Sequence, residues 1–378
     1  MSEIGVIALV PDQWDAMWQA RHHLLSRMAG RCEVAWMSPG HHWRDALRES
    51  ADRGVAPGVP GLQIHDAPRW LPRFHGSPRL DGLTLGVRLR AARATLLSKG
   101  VRRVVLYLWR PDYATALGLV PHDLSCYHID DEYSFSTTEV GTADEELTLI
   151  RGVGQVFVHS NTLLAAKGGL NPHTAHLPNG VDYERYATPA AAPEDLARIP
   201  HPRIGYCGWL KPQLDWDLLL TLARTQKHMS FVFVGPRGKA PEVQAAIQAM
   251  DELPNVHFLG ARPTSVLHAY TQHFDVCLMP YKRNWYTQFI YPVKVHEYLA
   301  TGNPVVASSL PNLAEFADVV ALADEAEAWT AALEEGLATR HEPAPIRARR
   351  AVASRHDWTA LATRAVSIFE ERLTDGVH

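Results

Sequence analysis

The sequence has few cysteines and no long apolar run, and both absences restrict the class of protein. Its four cysteines are far apart, and each lies within or beside an apolar, strand-like segment: Cys32, Cys126, Cys207 and Cys277. We therefore expect small buried thiols in a reducing, cytoplasmic compartment, rather than a disulfide framework or a zinc motif. No segment reaches about eighteen uncharged apolar residues, so we expect no membrane span. The N-terminal segment also lacks the positive region of a signal peptide.

Excess positive charge and the usual cofactor motifs are absent too. The formal net charge is -4 and the isoelectric point is about 6.6, which argues against nucleic-acid binding. No G-x-G-x-x-G follows a predicted strand, which argues against a dinucleotide dehydrogenase. "DWD" at 215–217 imitates a metal-binding motif, but it opens a predicted helix, where aspartate is favoured as a cap. We expect a metal-independent protein without a cofactor.

Apolar, β-branched runs alternate with helical segments in two series. The first series comprises residues 4–10, 32–37, 62–65, 102–109, 124–130 and 155–160, and the second 203–208, 229–235, 255–260, 275–280, 303–308 and 318–323. Continuous apolar character predicts strands covered on both faces, hence parallel sheets. The proline-rich stretch 187–202 is interpreted as a linker. The prediction is α/β, with doubly wound domains at 1–186 and 203–357 facing a central crevice. A C-terminal helix, 358–378, can pack back on the first domain.

The stretch "YPVKVHEYLATGNPVV" at 291–306 carries the strongest functional signal. It predicts a helix that begins near Pro292 and ends at a glycine cap before a buried strand. Lys294 and Glu297 then share one face near the helix N-terminus, where phosphate binds readily. A lysine suits a phosphate, and a carboxylate one turn further can accept two hydrogen bonds from a ribose diol. The alternative is a surface ion pair of small energy.

Several segments together resemble one enzyme family. They are "VFVHSNTLLA", "HLPNGVDYERY", "IGYCGWLKPQLDWDLL", "FVFVGP", "NVHFLGARP", "DVCLMPYKRN" and "PVKVHEYLATGNPVVAS", in that order over roughly residues 150 to 310. The chain resembles the GT-B glycosyltransferases, in particular the large retaining family 4, or group 1, of bacterial polysaccharide glycosyltransferases. The first 145 residues match only in pattern. The resemblance implies two Rossmann-like domains and a nucleotide diphosphate sugar as donor.

The resemblance also assigns donor-binding residues. It implies that Glu297 binds the donor ribose and that Lys211 and Lys294 meet the phosphates. The backbone of the "FLGARP" loop would contact the base. The loops are marked by three glycines, Gly208, Gly235 and Gly260. The family commonly has a second glutamate eight positions before Glu297, where this chain has Phe289. Asn284 and Thr287 could take over its contacts to sugar hydroxyls.

Candidate residues of the first domain follow its predicted strands. Asp130 and Asp131 stand at the end of a buried strand, where one can act as a base or electrostatic stabiliser. Capping of a following helix is the alternative. Trp14 and Trp18 could stack on an acceptor sugar, and Arg21 could meet a phosphate. Because these three share helical spacing, a core stripe is equally possible.

A basic run of nine arginines and lysines against one acid lies between residues 67 and 103. It includes Arg88, Arg90 and Arg93 and predicts contact with an anionic membrane, or else a solvated helix face paired with acids.

The sequence thus predicts a glycosyltransferase that moves a sugar to a hydroxyl of a saccharide or glycolipid acceptor, with retention, in surface polysaccharide assembly. A nucleotide-sugar epimerase and a non-catalytic nucleotide-sugar binding protein are the alternatives. No nucleic-acid partner is expected.

Overall fold

The computed structural model describes residues 3–41, 58–68, 70–74, 77–133 and 143–375. The chain forms two compact units, of which the first comprises residues 1–178 and 358–378 and the second residues 179–357. Each unit has its own parallel sheet and its own core of buried apolar side chains. The α/β class and the two Rossmann-like sheets predicted from the sequence are confirmed.

The first unit is built on a seven-stranded sheet in the order β3-β2-β1-β4-β5-β6-β7, with all neighbours parallel. Its strands are β1 (Ile4–Leu9), β2 (Glu33–Met37), β3 (Leu62–His65), β4 (Arg103–Leu108), β5 (Leu124–Ile129), β6 (Gln155–Val158) and β7 (Thr174–His176). β7 was not predicted, because three residues of mixed polarity carry no strand pattern. The helices are α1 (Ala20–Met28), α2 (Pro78–Ser98), α3 (Ala143–Gly152) and α4 (Asn161–Lys167).

The C-terminal helix α13 (Trp358–Asp375) also belongs to the first unit. Its buried face, including Trp358 and Phe369, joins the core formed by α1 and the sheet. The ring of Trp358 stacks on His23 of α1 with centroids 5.7 Å apart. A helix distant in sequence therefore completes the core of the N-terminal unit.

The second unit has a six-stranded parallel sheet in the order β10-β9-β8-β11-β12-β13. Its strands are β8 (Arg203–Cys207), β9 (Ser230–Val234), β10 (Val256–Gly260), β11 (Val276–Met279), β12 (Val305–Ala307) and β13 (Ala321–Leu322). Its helices are α5 (Tyr183–Ala187), α6 (Glu194–Ala197), α7 (Trp216–Thr225), α8 (Pro241–Asp251), α9 (Leu267–Gln272), α10 (Lys294–Thr301), α11 (Ala326–Thr339) and α12 (Pro343–Ser354). Every strand lies within a segment that the apolar pattern predicted.

The proline-rich stretch 187–202 differs from its interpretation as a linker. It lies entirely within the second unit, which begins at Asn179. Leu196 and Ile199 from this stretch are buried in the core of that unit. Pro189 follows α5 and Pro193 precedes α6, and the apolar side chains between the prolines anchor the segment in the core.

The four cysteines are buried free thiols. Within the described ranges, no helix is long and apolar enough to cross a bilayer.

Candidate active site

Three glycines with positive φ follow or end neighbouring strands of the second sheet. Gly208 follows β8, Gly235 follows β9, and Gly260 ends β10, with φ of 148°, 155° and 75°. Backbone hydrogen bonds link each loop to the next. Gly208 donates its N–H to the carbonyl of Val234, and Gly235 donates its N–H to the carbonyl of Gly260. A Cβ on Gly235 would lie 1.9 Å from the carbonyl oxygen of Gly208. Glycine is therefore required for these loops to approach each other, at the sheet edge where α/β folds bind ligands.

Lys294 and Glu297 lie on helix α10, at this edge of the sheet. The helix begins at Lys294 and ends at Gly302, a left-handed cap with φ of 85°. It starts two residues after Pro292, slightly later than predicted. Its opposite face is buried, and Tyr298 accepts a 2.9 Å hydrogen bond from the backbone N–H of Cys207 in β8. This tether fixes the helix on the strand that leads into the first glycine loop.

The side chain of Lys294 lies directly over Gly208. A Cβ on Gly208 would come within 2.2 Å of Lys294 Cε and 2.6 Å of its Nζ. The glycine thus makes room for an ammonium group beside the backbone at the end of β8. This arrangement combines a fixed positive charge, a helix N-terminus and a glycine loop, each of which favours a phosphate.

A pair of buried tyrosines lies beneath both predicted phosphate-binding lysines. The hydroxyls of Tyr206 and Tyr281 are hydrogen-bonded to each other. Lys294 Nζ lies 5.5 Å from the ring centroid of Tyr206, and Lys211 Nζ lies 5.9 Å from that of Tyr281. Both distances are within the range of a cation–π interaction. The structure therefore brings together Lys211 and Lys294, which are far apart in sequence, over one aromatic platform.

Glu297 is half-buried, and its surroundings have opposing effects on the pKa of its carboxyl. Burial raises the pKa of its carboxyl, while the ammonium of Lys294 and a hydrogen bond from the hydroxyl of Tyr186 lower it. Tyr186 is nearly fully buried in α5, which packs against α10. A carboxylate fixed in this way can accept hydroxyl hydrogen bonds without first reorganising.

The side chains of Asn284 and Thr287 stabilise their own loop through hydrogen bonds to its backbone. Asn284 Oδ1 accepts hydrogen bonds from the backbone N–H groups of Tyr286 and Thr287, at 3.0 and 2.9 Å. Thr287 is fully buried, and its hydroxyl donates to the carbonyl of Lys282. The structure therefore contradicts a sugar-binding hydroxyl at Thr287, because that hydroxyl points into the turn. Phe289 is half-buried and meets Trp285 edge-on.

In the first unit, one arginine and two aspartates form a cluster beside the ends of two strands. Arg21 in α1 forms ion pairs with Asp12, after β1, and with Asp130, after β5. The other oxygen of Asp130 accepts a 2.5 Å hydrogen bond from the hydroxyl of Tyr133. Burial alone would lower the pKa of Arg21, but the two carboxylates hold it above its ordinary value. With two acids to one base, the cluster can stabilise a further positive charge placed beside it.

The turn after β5 is itself anchored by buried charges. Lys167 Nζ donates to Glu132 at 2.9 Å and to Glu146 at 2.8 Å, and all three side chains are nearly inaccessible. Asp131, between the cluster and this anchor, is exposed and accepts a hydrogen bond from the backbone N–H of Glu132. Asp130 is therefore the better fixed of the two predicted aspartates, and Asp131 the more accessible.

The predicted acceptor-binding aromatic residues lie in different surroundings. Residues 11–19 are turns and bends, so Trp14 and Trp18 precede α1 and do not share its face. Trp14 is 3% exposed and packs against the rings of Trp18 and Trp36 at 5.2 and 5.1 Å. Its ring faces are covered, so stacking of Trp14 on a sugar is wrong. Trp18 is partly exposed at the edge of the same cluster. The guanidinium of Arg21 forms ion pairs with carboxylates and is not left open for a phosphate.

Two further polar residues have structural roles. His128 is a core histidine, because it is buried, stacks on Trp109 at 4.1 Å and is hydrogen-bonded to the hydroxyl of Tyr107. Asp215 caps α7 by accepting a hydrogen bond from the N–H of Leu218 at 3.0 Å. This is the capping alternative for the "DWD" motif.

Three residues at these sites were not predicted from the sequence. Asp12 contacts Arg21 and Tyr133 contacts Asp130, both from nearby in the chain, whereas Tyr186 contacts Glu297 from 111 positions earlier. For Asp12, the position just after a predicted strand was an available signal. For Tyr186 and for the pair of Tyr206 and Tyr281, the sequence held no such signal.

Comparison with known proteins adds family evidence for the second unit. Residues 201–339 match the family described as "Glycosyl transferases group 1". The matched residues lie within the second unit. The group 1 glycosyltransferase resemblance predicted from the sequence is thereby confirmed. The chain is also 32% identical over 190 residues to a Bacillus subtilis (strain 168) protein named as a teichuronic acid biosynthesis glycosyltransferase, TuaH. That match covers 48% of this chain and 47% of the relative, so it spans about half the length of the curated protein.

Solved structures resemble the chain over nearly its whole length. A glycosyltransferase from Rickettsia africae ESF-5 has a TM-score of 0.72 at 11% identity, covering 99% of both chains. An E. coli structure described as trehalose-6-phosphate bound with UDP-2-fluoro glucose has a TM-score of 0.65 at 12% identity, covering 96% of this chain and 98% of that one. A third, AviGT4 of avilamycin A biosynthesis, gives 0.61 at 16% identity, covering 98% of each chain. These likenesses show the GT-B fold of the chain.

Proposed function

We propose that the chain is a glycosyltransferase that takes a sugar from a nucleotide diphosphate sugar and transfers it to a hydroxyl of a saccharide or glycolipid. One observation carries the proposal. Lys294 and Glu297 stand on the first turn of α10, over the glycine loop at Gly208, inside the domain that matches the group 1 family. This geometry suits a diphosphate next to a ribose.

In this proposal, Lys211 and Lys294 bind the diphosphate and stabilise its charge as it leaves the sugar. Glu297 accepts hydrogen bonds from the two ribose hydroxyls. The backbone of the glycine loops at Gly235 and Gly260 leaves space for the nucleoside. Of the predicted sugar contacts, Asn284 remains a candidate only through its amide nitrogen, because its oxygen is used within the turn.

The first unit would supply the acceptor side of the reaction. We propose that Asp130, held by Arg21 and Tyr133, stabilises positive charge that develops on the transferred sugar. Asp131 is the accessible carboxylate of the pair and the candidate base for the acceptor hydroxyl. Retention of configuration, a cytoplasmic location, independence of metals and a role in surface polysaccharide assembly stay predictions.

The test has two stages. Thermal-shift measurements with UDP, GDP, ADP and dTDP, each with its sugars, identify the donor. Release of nucleoside diphosphate is then measured across an acceptor panel, with and without EDTA, and the anomeric configuration of the product is read by NMR. Stabilisation by one diphosphate and acceptor-dependent release support the proposal. An epimerised sugar nucleotide formed without acceptor would indicate an epimerase, and tight binding without turnover a binding protein.

A further inference from the structure

A pocket of the first unit lies where the strand order of its sheet reverses. β1 pairs with β2 on one side and with β4 on the other, so the chain builds the sheet outward from β1 in both directions. Open α/β sheets bind ligands at the carboxyl ends of strands beside such a reversal. The pocket lies at these ends, because its lining includes Leu9, Val10, Ser38, Gly40, Asp112 and Tyr113. None of these residues belongs to the cluster of Arg21, Asp12 and Asp130.

One face of α2 forms a wall of the pocket. Four of its residues line the pocket at the spacing i, i+3, i+4 and i+7 of a single helical face: Asp81, Thr84, Leu85 and Arg88. Leu83 and Val87 lie on another face and are 64% and 43% exposed. The helix thus turns Arg88 toward the end of the sheet. Arg88 therefore does not contribute to the exposed basic surface predicted for residues 67–103.

Arg88 is a buried cation that forms no ion pair with the residues that the structure describes. It is 9% exposed, and its Nη2 donates to the backbone carbonyls of Ser38 and His65, at the ends of β2 and β3. Its Nε has no hydrogen-bond partner within the described ranges. Burial lowers the pKa of Arg88, and the charges of Asp66 and Asp81 oppose this effect only in part. A further negative charge beside the guanidinium would therefore be favourable.

Arg73, the other cation that lines the pocket, is already compensated. Its Nη2 lies 2.8 Å from Oδ2 of Asp112, and its Nε lies 3.7 Å from Oδ2 of Asp81. Burial alone would lower the pKa of Arg73, but the hydrogen bond and the charge of Asp112 hold it above its ordinary value. The two arginines thus differ, and the positive charge that remains for a ligand is that of Arg88.

The nitrogen of Arg88 that remains for a ligand is Nη1, which lies beside Gly40. A Cβ built on Gly40 would lie 3.6 Å from this nitrogen and 3.3 Å from the Cβ of Arg73. Nη1 makes no hydrogen bond to the described part of the chain, since Nη2 alone reaches the two carbonyls. Glycine at position 40 therefore keeps space next to the guanidinium.

We propose that this pocket binds the carboxylate of a hexuronate unit in the acceptor and that Arg88 recognises it. The inference rests on the proposed transferase function and names its acceptor class. A carboxylate carries one negative charge, which matches the one uncompensated cation. A phosphate would bring up to two negative charges close to Asp81 and Asp112. Apolar side chains in the lining, such as Leu9 and Leu85, suit the C–H face of a sugar ring.

Binding is measured by ligand-observed NMR titration of the full-length protein with three probes: methyl glucuronide, methyl glucoside and glucose 6-phosphate. The glucuronide should bind about tenfold or more tightly than the other two, because a hydrogen bond between charged groups is stronger than a neutral one. Arg88→Gln should remove this preference, while its amide can still donate to the carbonyls of Ser38 and His65. Equal binding of glucuronide and glucoside by the unmodified protein, or tighter binding of the phosphate, would overturn the proposal.

A second variant tests the contact with Arg88 left in place. Gly40→Val would fill the space beside Nη1 and should weaken glucuronide binding about tenfold or more. Arg90→Gln and Gly58→Val are the matched controls. Arg90 is exposed two positions further along α2, and a Cβ on Gly58 meets no described atom within 4 Å. Both controls should bind the glucuronide like the unmodified protein. An undiminished preference for glucuronide in Gly40→Val and Arg88→Gln would refute the assignment.

Transfer assays separate this inference from the proposed function. Release of nucleoside diphosphate from the preferred donor is measured with acceptors that end in glucuronate or in glucose. Arg88→Gln should raise KM for the glucuronate acceptor about tenfold or more and leave kcat unchanged, because Arg88 is not part of the Asp130 cluster. Equally efficient transfer to both acceptors by the unmodified protein would refute the acidic acceptor and leave the transferase function standing. Glucuronide binding without transfer from any donor would instead count against the transferase function.

Discussion

Replacing Glu297 by glutamine separates binding from stability at the proposed nucleotide site. The change keeps the shape of the side chain but removes its negative charge. A hydrogen bond to a charged group contributes about 1.5 to 3 kcal/mol, roughly twice a neutral one. Tyr186 already donates to this carboxyl, so the ribose hydroxyls have the remaining lone pairs. We expect the dissociation constant of the preferred nucleoside diphosphate to rise about tenfold to a hundredfold.

The effect on stability should have the opposite sign. Burial raises the pKa of Glu297, so the folded protein holds this proton more tightly than the unfolded chain does. Ionisation of Glu297 therefore opposes folding, and its contribution to stability falls as pH rises from the ordinary glutamate range through the raised pKa. Glutamine cannot ionise. The variant should melt at or above the temperature of the unmodified protein at neutral pH, and the difference should shrink in acid.

The measurement is isothermal titration with the nucleotide, together with thermal melts over a range of pH. Glu242→Gln is a matched control, because Glu242 also lies in the first turn of a helix of the second unit, α8, but is exposed. It should leave both quantities unchanged. If Glu297→Gln binds the nucleotide as tightly as the control does, the assignment of the ribose contact is refuted. A large fall in melting temperature would instead show a structural role.

Four further changes test the rest of the site. Gly235→Ala should destabilise the second unit by about 1–3 kcal/mol in urea unfolding and abolish nucleotide binding, because its Cβ would meet the backbone of Gly208. Trp14→Ala should cost about 3–5 kcal/mol and spare acceptor affinity, as a core residue would. Lys167→Met should cost about 3–5 kcal/mol, because it removes the cation from two buried carboxylates; an unchanged unfolding midpoint would contradict this. Asp130→Asn should lower turnover at least tenfold with the nucleotide dissociation constant unchanged, and equal loss of both would point to misfolding.

The order and type of the elements could be predicted from the sequence. Apolar runs such as those of β8 and β9 are buried on both faces, so local composition alone marks them as central strands of parallel sheets. The helix from Lys294 to its cap at Gly302 could also be predicted, because its capping glycine and apolar spacing are local signals. Where a signal was weak or shared, the prediction was wrong. The prolines of 187–202 resembled a linker, and the spacing of Trp14 and Trp18 resembled a helix.

The strands, the helices and the lysine and glutamate of the proposed nucleotide site could therefore be predicted without the fold, because each depends on neighbours a few positions away. The remote groups that join them could be identified only from the folded chain. It placed Lys211 and Lys294 over one pair of tyrosines, joined Asp12 to Asp130 through Arg21, and turned part of α2 outward. Such contacts depend on how strands are ordered in a sheet and how helices pack on it, and residue spacing along the chain does not encode that order.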